Sequence, residues 1–196
     1  GKFNDLIIEL AGNRLFNELW KMPPYDDNYR PAEGYISPAL ANDRYFRRMR
    51  DCEIVLRFFA FRKSSKLRGA VRTILDTCMK EHREVAESLL DDYRARFRLN
   101  LETAQAIFRS HTFHIKAGDK KWRLSIPLFD AIMIALDRHH ESRELLVDAR
   151  KPISRELRNM LEDPDTYDLI VGKPNTARAI RARIDAIDDL FCEYIS

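Results

Sequence analysis

The chain has 196 residues, of which 45% are hydrophobic and 33% are charged. This composition argues against a disordered chain, and the length suits one buried core rather than two, so a single domain over residues 1–196 is expected. No apolar run reaches the roughly 20 residues that a transmembrane helix requires, which argues against a membrane protein.

The first residues of the chain indicate that it is part of a longer protein. The chain begins GKFNDLIIEL, without an initiator Met and without the basic and then apolar pattern of a secretory signal. We therefore expect a segment of a longer protein.

Cys52, Cys78 and Cys192 are odd in number and lie far apart on apolar helical faces. They are interpreted as reduced core residues of a cytoplasmic protein rather than as a disulfide framework or a zinc site.

The positive charge is concentrated in one segment. The formal net charge is +3, yet residues 44–72 contain ten Lys or Arg and two acidic residues, which gives this segment about +8 and the remainder about −5. Such an asymmetry predicts an anionic partner.

The N-terminal part of the chain predicts two short helices, a long loop and a new helix start. The helices cover residues 3–10 and 15–20 and are separated at Gly12-Asn13, where a left-handed cap is favoured. Residues 21–37 contain three prolines and no helical period, so a long loop is expected there. Ser37 and Pro38 then have the pattern of an N-cap followed by Pro at the first helical position.

The segment from residue 51 to residue 61 predicts a buried central helix. It is apolar on almost every side, which is typical of a helix wrapped by other helices. Its polar seam consists of Arg50, Glu53 and Arg57, whose spacing places them on one face. We expect Glu53 and Arg57 to form an ion pair between two partly buried charges. The alternative is that they bind a substrate.

The rest of the chain predicts further helices and one hairpin. Ser64 or Ser65 is expected to cap the next helix. Residues 112–115 and 121–125 alternate in polarity around Gly118-Asp119, which predicts a β-hairpin. Helical periodicity covers residues 67–79, 85–108, 125–136, 144–149, 153–161 and 177–191. The predicted fold class is therefore mainly α: a single helical domain around a buried central helix, with one small β-hairpin.

No complete active site is found in the sequence. No glycine occurs in a phosphate-binding loop pattern. His111 and His114 lie at a helix-to-strand boundary, and the adjacent His139 and His140 point about 100° apart on a helix. No metal ligand set and no cofactor are therefore expected. The acidic clusters are interpreted as solvated helix ends or faces, with Asp163 capping or ending a helix because Pro follows it.

Six basic residues are the candidates for contact with nucleic acid: Arg44, Arg47, Arg48, Lys63, Lys66 and Arg68. They form either a phosphate-contacting patch or an ordinary solvated face, and the sequence leaves both interpretations open. Tyr45 and Phe46 alternate with the arginines, as aromatic residues do on many nucleic-acid-binding surfaces. Either ring could equally belong to the core.

A family resemblance is carried by four short pieces of sequence. The run RMRDCEIVLRFFA at residues 48–60 resembles a signature in the later half of domain-of-unknown-function 262 proteins, which are relatives of GmrSD-type, modification-dependent restriction systems. GKFNDLI at residues 1–7, LFDA at residues 128–131 and RI at residues 183–184 are similar to further pieces of that family, in the expected order. The signature positions are Arg48, Asp51, Glu53, Arg57 and Phe58.

The resemblance implies a non-catalytic piece of a prokaryotic defence protein. In the family, nucleotide hydrolysis or nuclease chemistry belongs to an earlier, ParB-like domain with an acidic-Gly-Gln-Gln-Arg motif, and no such motif occurs in these residues. No catalytic residue is therefore carried over, and the signature residues are expected to pack and orient the central helix. The implied partners are the upstream domain of the same protein and duplex DNA.

Two other functions remain open at this stage. The first is a protein-interaction or homo-oligomerisation module without a role in nucleic-acid binding, which would need an exposed apolar patch. The second is an independent enzyme, which would need the loop from Tyr25 to Tyr35 to line a pocket together with Glu53 and Arg57.

Overall fold

The computed structural model describes residues 1–25, 36–116, 121–172 and 174–195. Within these ranges the chain forms twelve α-helices and one two-stranded sheet, which confirms the predicted mainly α fold class. The helices are α1 (Lys2–Ala11), α2 (Arg14–Leu19), α3 (Pro38–Asn42), α4 (Arg44–Arg47), α5 (Arg50–Phe61), α6 (Val71–Glu81), α7 (Glu87–Phe108), α8 (Ile126–Arg138), α9 (Arg143–Asp148), α10 (Arg150–Glu162), α11 (Pro164–Val171) and α12 (Ala177–Cys192). The strands are β1 (His114–Lys116) and β2 (Trp122–Leu124).

Helix α5 is the predicted central helix, and it is packed against α1, α4, α6 and α8. Ile54, Val55, Phe58 and Phe61 are each 0% exposed, because a helix that is apolar on most sides must be covered on most sides. The helix begins after Met49, which has a left-handed backbone with φ of 50°. This bend separates α5 from the short helix α4.

The second half of the core is built by α8, α12 and α7. All nine residues from Leu128 to Leu136 of α8 are buried, and α12 covers one side of this helix while α7 and α5 cover others. The Ser125 hydroxyl accepts a hydrogen bond from the Leu128 amide at 3.2 Å and caps α8. The predicted helix start at Ser125 is therefore confirmed.

The predicted β-hairpin is confirmed. Strands β1 and β2 are antiparallel, with His114 opposite Leu124 and Lys116 opposite Trp122. The predicted turn at Gly118-Asp119 lies outside the described residues. Most of the predicted long loop, residues 26–35, also lies outside them.

One predicted helix cap was wrong. Ser64 and Ser65 do not cap α6, because residues Ser64–Lys66 form a separate 3₁₀ turn and α6 begins only at Val71. The delay follows from Gly69, whose φ of +78° turns the chain before the helix starts. The prediction that Asp163 caps or ends a helix is confirmed. It ends α10, and it caps helix α11, which was not predicted, since its carboxylate accepts from the Thr166 amide at 2.9 Å.

Among the described residues, every helix is too short or too polar to cross a lipid bilayer.

Candidate anion-binding cleft

The six basic residues predicted to contact nucleic acid are all exposed, but the fold divides them between the two ends of α5. The N-terminal cluster, which precedes α5, consists of Arg44, Arg47 and Arg48. The C-terminal cluster, which follows α5, consists of Lys63, Lys66 and Arg68. Because an α-helix rises about 1.5 Å per residue, the 12 residues of α5 place the two clusters roughly 18 Å apart along its axis. They are two surfaces rather than one patch.

The N-terminal cluster is built on the short helix α4. Asp43 caps this helix, since its Oδ1 accepts from the Tyr45 amide at 2.8 Å and from the Phe46 amide at 3.1 Å. The rings of Tyr45 and Phe46 are half-buried against the core, and Tyr45 contacts Trp20 edge-to-face with ring centroids 5.7 Å apart. The two aromatic residues that alternate with the arginines therefore contribute to the core, which settles the question that the sequence left open.

The C-terminal cluster borders a cleft of about 760 Å³ between the end of α5, α6 and the beginning of α7. This volume is in the range of small-ligand sites, roughly 300–1,000 Å³. Lys63, Lys66 and Arg68 line its cationic rim. Glu81 and Asp92 also line it, from α6 and α7, so the positive charge is confined to the segment that follows α5.

The cations of the cleft differ in how they are paired. The Arg62 Nε donates to Asp137 Oδ2 at 2.9 Å, and its guanidinium lies 5.3 Å from the centre of the Tyr93 ring, so Arg62 joins α5 to its neighbours. Lys63, Lys66 and Arg68 make no ion pair with any carboxylate of the described residues. Exposed cations without a nearby carboxylate leave a local positive potential, which attracts anions.

The floor of the cleft contains a hydrogen-bonded group of three side chains. His82 Nδ1 lies 2.8 Å from the carbonyl oxygen of Cys78, and His82 Nε2 lies 3.1 Å from the Tyr93 hydroxyl. Because a carbonyl only accepts, Nδ1 must carry the proton, and in the neutral ring Nε2 accepts from Tyr93. Phe3 stacks on the imidazole with ring centres 4.4 Å apart. Both nitrogens of this histidine are therefore occupied.

Two titratable groups of the floor, Cys78 and Tyr93, have raised pKa values. Burial raises the pKa of the Cys78 thiol to about 12, and Glu81 raises it further while Lys63 opposes the rise. Burial also raises the pKa of the Tyr93 hydroxyl. A thiol protonated at neutral pH is a poor nucleophile. The Cys78 thiol is therefore protonated and unreactive as a nucleophile at neutral pH.

A buried charge centre, formed by Arg57, Asp130 and Arg183, joins α5, α8 and α12. The Arg57 Nε donates to Asp130 Oδ1 at 2.9 Å, and its Nη2 donates to Asp130 Oδ2 in a second, short hydrogen bond. Glu53 lies 3.6 Å from Arg57 Nη1, so the predicted ion pair exists but is the weaker of the two. Burial raises the pKa of the Asp130 carboxyl, and contact with Arg57 opposes that rise.

Arg183 is the less satisfied member of the buried charge centre. It is 0% exposed, and its Nη2 donates to the Pro174 carbonyl at 2.8 Å. Its Nε and Nη1 have no hydrogen-bond partner among the described residues. Burial lowers the pKa of this guanidinium, while the charge of Asp130 opposes the shift.

The other signature positions also have structural roles, with one exception. Asp51 is 1% exposed, and its Oδ2 accepts from the Tyr25 hydroxyl at 2.5 Å. Phe58 is 0% exposed and contacts Phe97 edge-to-face at 5.4 Å. Arg48 is exposed and belongs to the N-terminal cluster.

Sequence reasoning missed the two partners of Arg57 and the floor of the cleft. Asp130 and Arg183 lie 73 and 126 positions from Arg57, so no local spacing connects them. The only sequence feature that linked Arg57, Asp130 and Arg183 was that each lies in one of the short pieces that carry the family resemblance. These pieces are residues 48–60, 128–131 and 183–184. Cys78 and His82 lie one turn apart near the end of α6, which alone does not indicate a cleft.

Comparison with models of protein families, with curated proteins and with solved structures found no match to this chain. The function is therefore inferred from the geometry of the described residues.

Proposed function

We propose that this chain is the non-catalytic helical part of a prokaryotic defence protein, and that it contacts the phosphate backbone of duplex DNA through the C-terminal cluster. The upstream catalytic domain of such a protein, related to modification-dependent restriction systems, would dock on the same helical scaffold. The observation that carries the proposal is the cationic rim of the cleft. Three exposed cations follow one another over six residues, from Lys63 to Arg68, beside a cavity of about 760 Å³.

The pairing of the cations supports contact with phosphate. The other cationic side chain that lines the cleft, Arg62, is held by Asp137. Lys63, Lys66 and Arg68 are exposed to solvent, and no carboxylate of the described residues forms an ion pair with them. Phosphate contacts from such cations provide affinity that does not depend on base sequence and that weakens as salt rises.

The chemistry of the cleft favours binding over catalysis. The Cys78 thiol remains protonated at neutral pH, and both nitrogens of His82 are engaged. Glu53 and Arg57, the pair considered for a substrate pocket, are bound to each other, and Arg57 is also bound to buried Asp130. The Arg57 side chain is therefore engaged within the core, and half-buried Glu53 is paired with both Arg57 and Arg50.

The alternative of a protein-interaction module is less favoured by the surface. The large exposed hydrophobic residues among those described are Ile36, Met49, Leu89, Leu145 and Leu169. They lie on or beside five different helices. Single exposed hydrophobic residues are normal on monomers, whereas an interface needs a contiguous patch.

The test is a titration of the chain with a short DNA duplex over a series of salt concentrations. The wild type is compared with a C-terminal-cluster variant, Lys63→Gln/Lys66→Gln/Arg68→Gln. The matched control is Arg44→Gln/Arg47→Gln/Arg48→Gln, which removes the same charge from the other end of α5. If each cation contacts one phosphate, the slope of log affinity against log salt becomes shallower by up to about three units in the C-terminal-cluster variant. The control variant changes it by much less.

Two results would contradict the proposal. A wild type without salt-dependent DNA binding would remove the DNA contact altogether. Equal losses in the two variants would show that overall charge, and not the cleft, attracts the duplex.

A further inference from the structure

A second cluster of reactive side chains lies where the end of α8 meets α12. His139 follows the last residue of α8, and Asp188 and Cys192 lie one helical turn apart on α12. Cys192 was predicted to be a core residue, and this was wrong, because its side chain is exposed. His139 Nε2 is 2.9 Å from Asp188 Oδ1 and 3.7 Å from Cys192 Sγ. These three atoms all lie within 4.8 Å of one another.

The three atoms are types that bind Zn²⁺ in proteins. A zinc ion sits about 2.0–2.1 Å from an imidazole nitrogen, about 2.0–2.2 Å from a carboxylate oxygen and about 2.3 Å from a thiolate. In a tetrahedral site these bond lengths place the ligand atoms roughly 3.3–3.6 Å from one another. The observed separations lie on both sides of this range, so small side-chain rotations would complete the geometry. A mixed nitrogen and sulfur ligand set favours zinc over magnesium or calcium.

The surroundings of the cluster favour a cation. Asp185 and Asp189 flank Asp188 on α12 and add negative charge. A bound cation offsets part of this negative charge.

Arg138 positions the carboxylate rather than blocking it. Its Nη1 lies 3.1 Å from Asp188 Oδ2 and 3.1 Å from Asp185 Oδ1. Oδ2 of Asp188 is therefore occupied, and Oδ1 is the oxygen that faces His139. Outer contacts of this kind fix the orientation of a metal-binding carboxylate.

We infer that His139, Asp188 and Cys192 form a binding site for Zn²⁺. The three side chains supply three ligands, and a water molecule completes the tetrahedron. The ion joins the end of α8 to the last turns of α12, the helix that covers α8 most extensively.

The experiment is a titration of the reduced chain with Co²⁺, which replaces Zn²⁺ and reports its ligands in the absorption spectrum. Binding through a thiolate gives a sulfur-to-cobalt charge-transfer band in the near ultraviolet. We expect this band to saturate at one equivalent and to disappear when Zn²⁺ displaces the cobalt. Cys192→Ser abolishes the band. His139→Ala and Asp188→Asn weaken cobalt affinity by at least the roughly 10–100-fold that is lost with an outer-shell contact.

Two matched variants serve as controls. His140→Ala removes the adjacent histidine, and Cys52→Ser removes another thiol, so both keep the band and the affinity of the wild type. Circular dichroism of each metal-free variant establishes that it is folded. The inference is overturned if no band forms at one equivalent, if the band persists in Cys192→Ser, or if His139→Ala binds cobalt as tightly as His140→Ala does.

Discussion

The cation in the middle of α5 is buried and paired with a carboxylate, whereas the cations just beyond the end of α5 are exposed and form no ion pair with the described residues. In the middle, Arg57 is 3% exposed and bound to Asp130, which is 0% exposed. Just beyond its C-terminal end, Lys63, Lys66 and Arg68 are exposed and unmatched by a carboxylate of the described residues. The basic segment of the sequence therefore contains two kinds of cation within about a dozen residues. Arg57 is buried and supports the fold, and the cations from Lys63 to Arg68 face solvent.

This difference predicts two kinds of mutational effect. A buried ion pair has lost its hydration, so removal of one partner leaves an uncompensated charge in the core. An exposed cation is solvated in the folded and in the unfolded chain, so its removal changes stability little. The buried arginine should control folding, and the exposed cations should control binding.

The largest expected effect comes from Asp130→Leu. This change leaves Arg57 buried without its closest partner, so we expect the free energy of unfolding to fall by about 3–5 kcal/mol. Urea denaturation followed by circular dichroism measures the loss. The double variant Arg57→Met/Asp130→Leu removes both charges, and it should lose less stability than Asp130→Leu alone. A double variant that is less stable than either single variant would show that the pair itself stabilises the fold.

A smaller effect is expected from Arg183→Met within the same buried charge centre. Two donors of Arg183 lack a partner among the described residues, so its removal relieves unpaired polar atoms while it leaves the Pro174 carbonyl without a donor. We expect a change in the free energy of unfolding of about 1 kcal/mol or less. The same urea experiment measures it. A loss as large as that of Asp130→Leu would mean that Asp130 depends on both arginines.

A modest pH effect is expected from His114, which is 8% exposed at the start of β1. Its Nδ1–H donates to the Thr112 carbonyl at 2.7 Å, and burial lowers the pKa of the ring, with Lys21 and His111 lowering it further. The unfolded chain therefore binds a proton more readily than the folded chain does.

The stabilising contribution of neutral His114 is complete above the ordinary histidine pKa of about 6.5 and is lost as the pH falls below it. Urea denaturation on either side of that pH should show a smaller acid-induced loss in His114→Gln than in the wild type. The matched control is His140→Gln, which replaces a half-exposed histidine. An equal acid-induced loss in all three proteins would contradict the assignment.

The smallest effect on stability is expected from the C-terminal-cluster variant, Lys63→Gln/Lys66→Gln/Arg68→Gln. Exposed substitutions usually change the free energy of unfolding by no more than about 0.5 kcal/mol each. Urea denaturation should give nearly the same midpoint as the wild type. A large loss would mean that these cations hold the segment between α5 and α6 in place.

Much of the fold could be predicted because local patterns determine it. The apolar character of residues 51–61, the cap at Ser125 and the alternation around the hairpin are read within a few neighbouring residues. Helix α11 was missed because no helical periodicity was recognised after Pro164, although Asp163 was predicted to cap or end a helix. The late start of α6 depends on the positive φ of Gly69, which propensity alone does not reveal.

The sites were harder to predict because distant residues build them. The six basic residues were treated as one group in the sequence, although the helix predicted at residues 51–61 lies between the two clusters and separates them by roughly 1.5 Å per residue. His139 was compared only with its neighbour His140, and the two were judged unable to share a metal ion. Its nearest groups are Asp188 and Cys192, which lie 49 and 53 positions away.

The most direct test of the contrast along α5 is the salt dependence of duplex binding by the C-terminal-cluster variant, measured on protein with an unchanged unfolding midpoint. We predict that the slope of log affinity against log salt becomes shallower by up to about three units, while the N-terminal-cluster variant stays close to the wild type. If the C-terminal-cluster variant binds DNA with the wild-type slope, the proposal that these exposed cations contact the phosphates of DNA is contradicted.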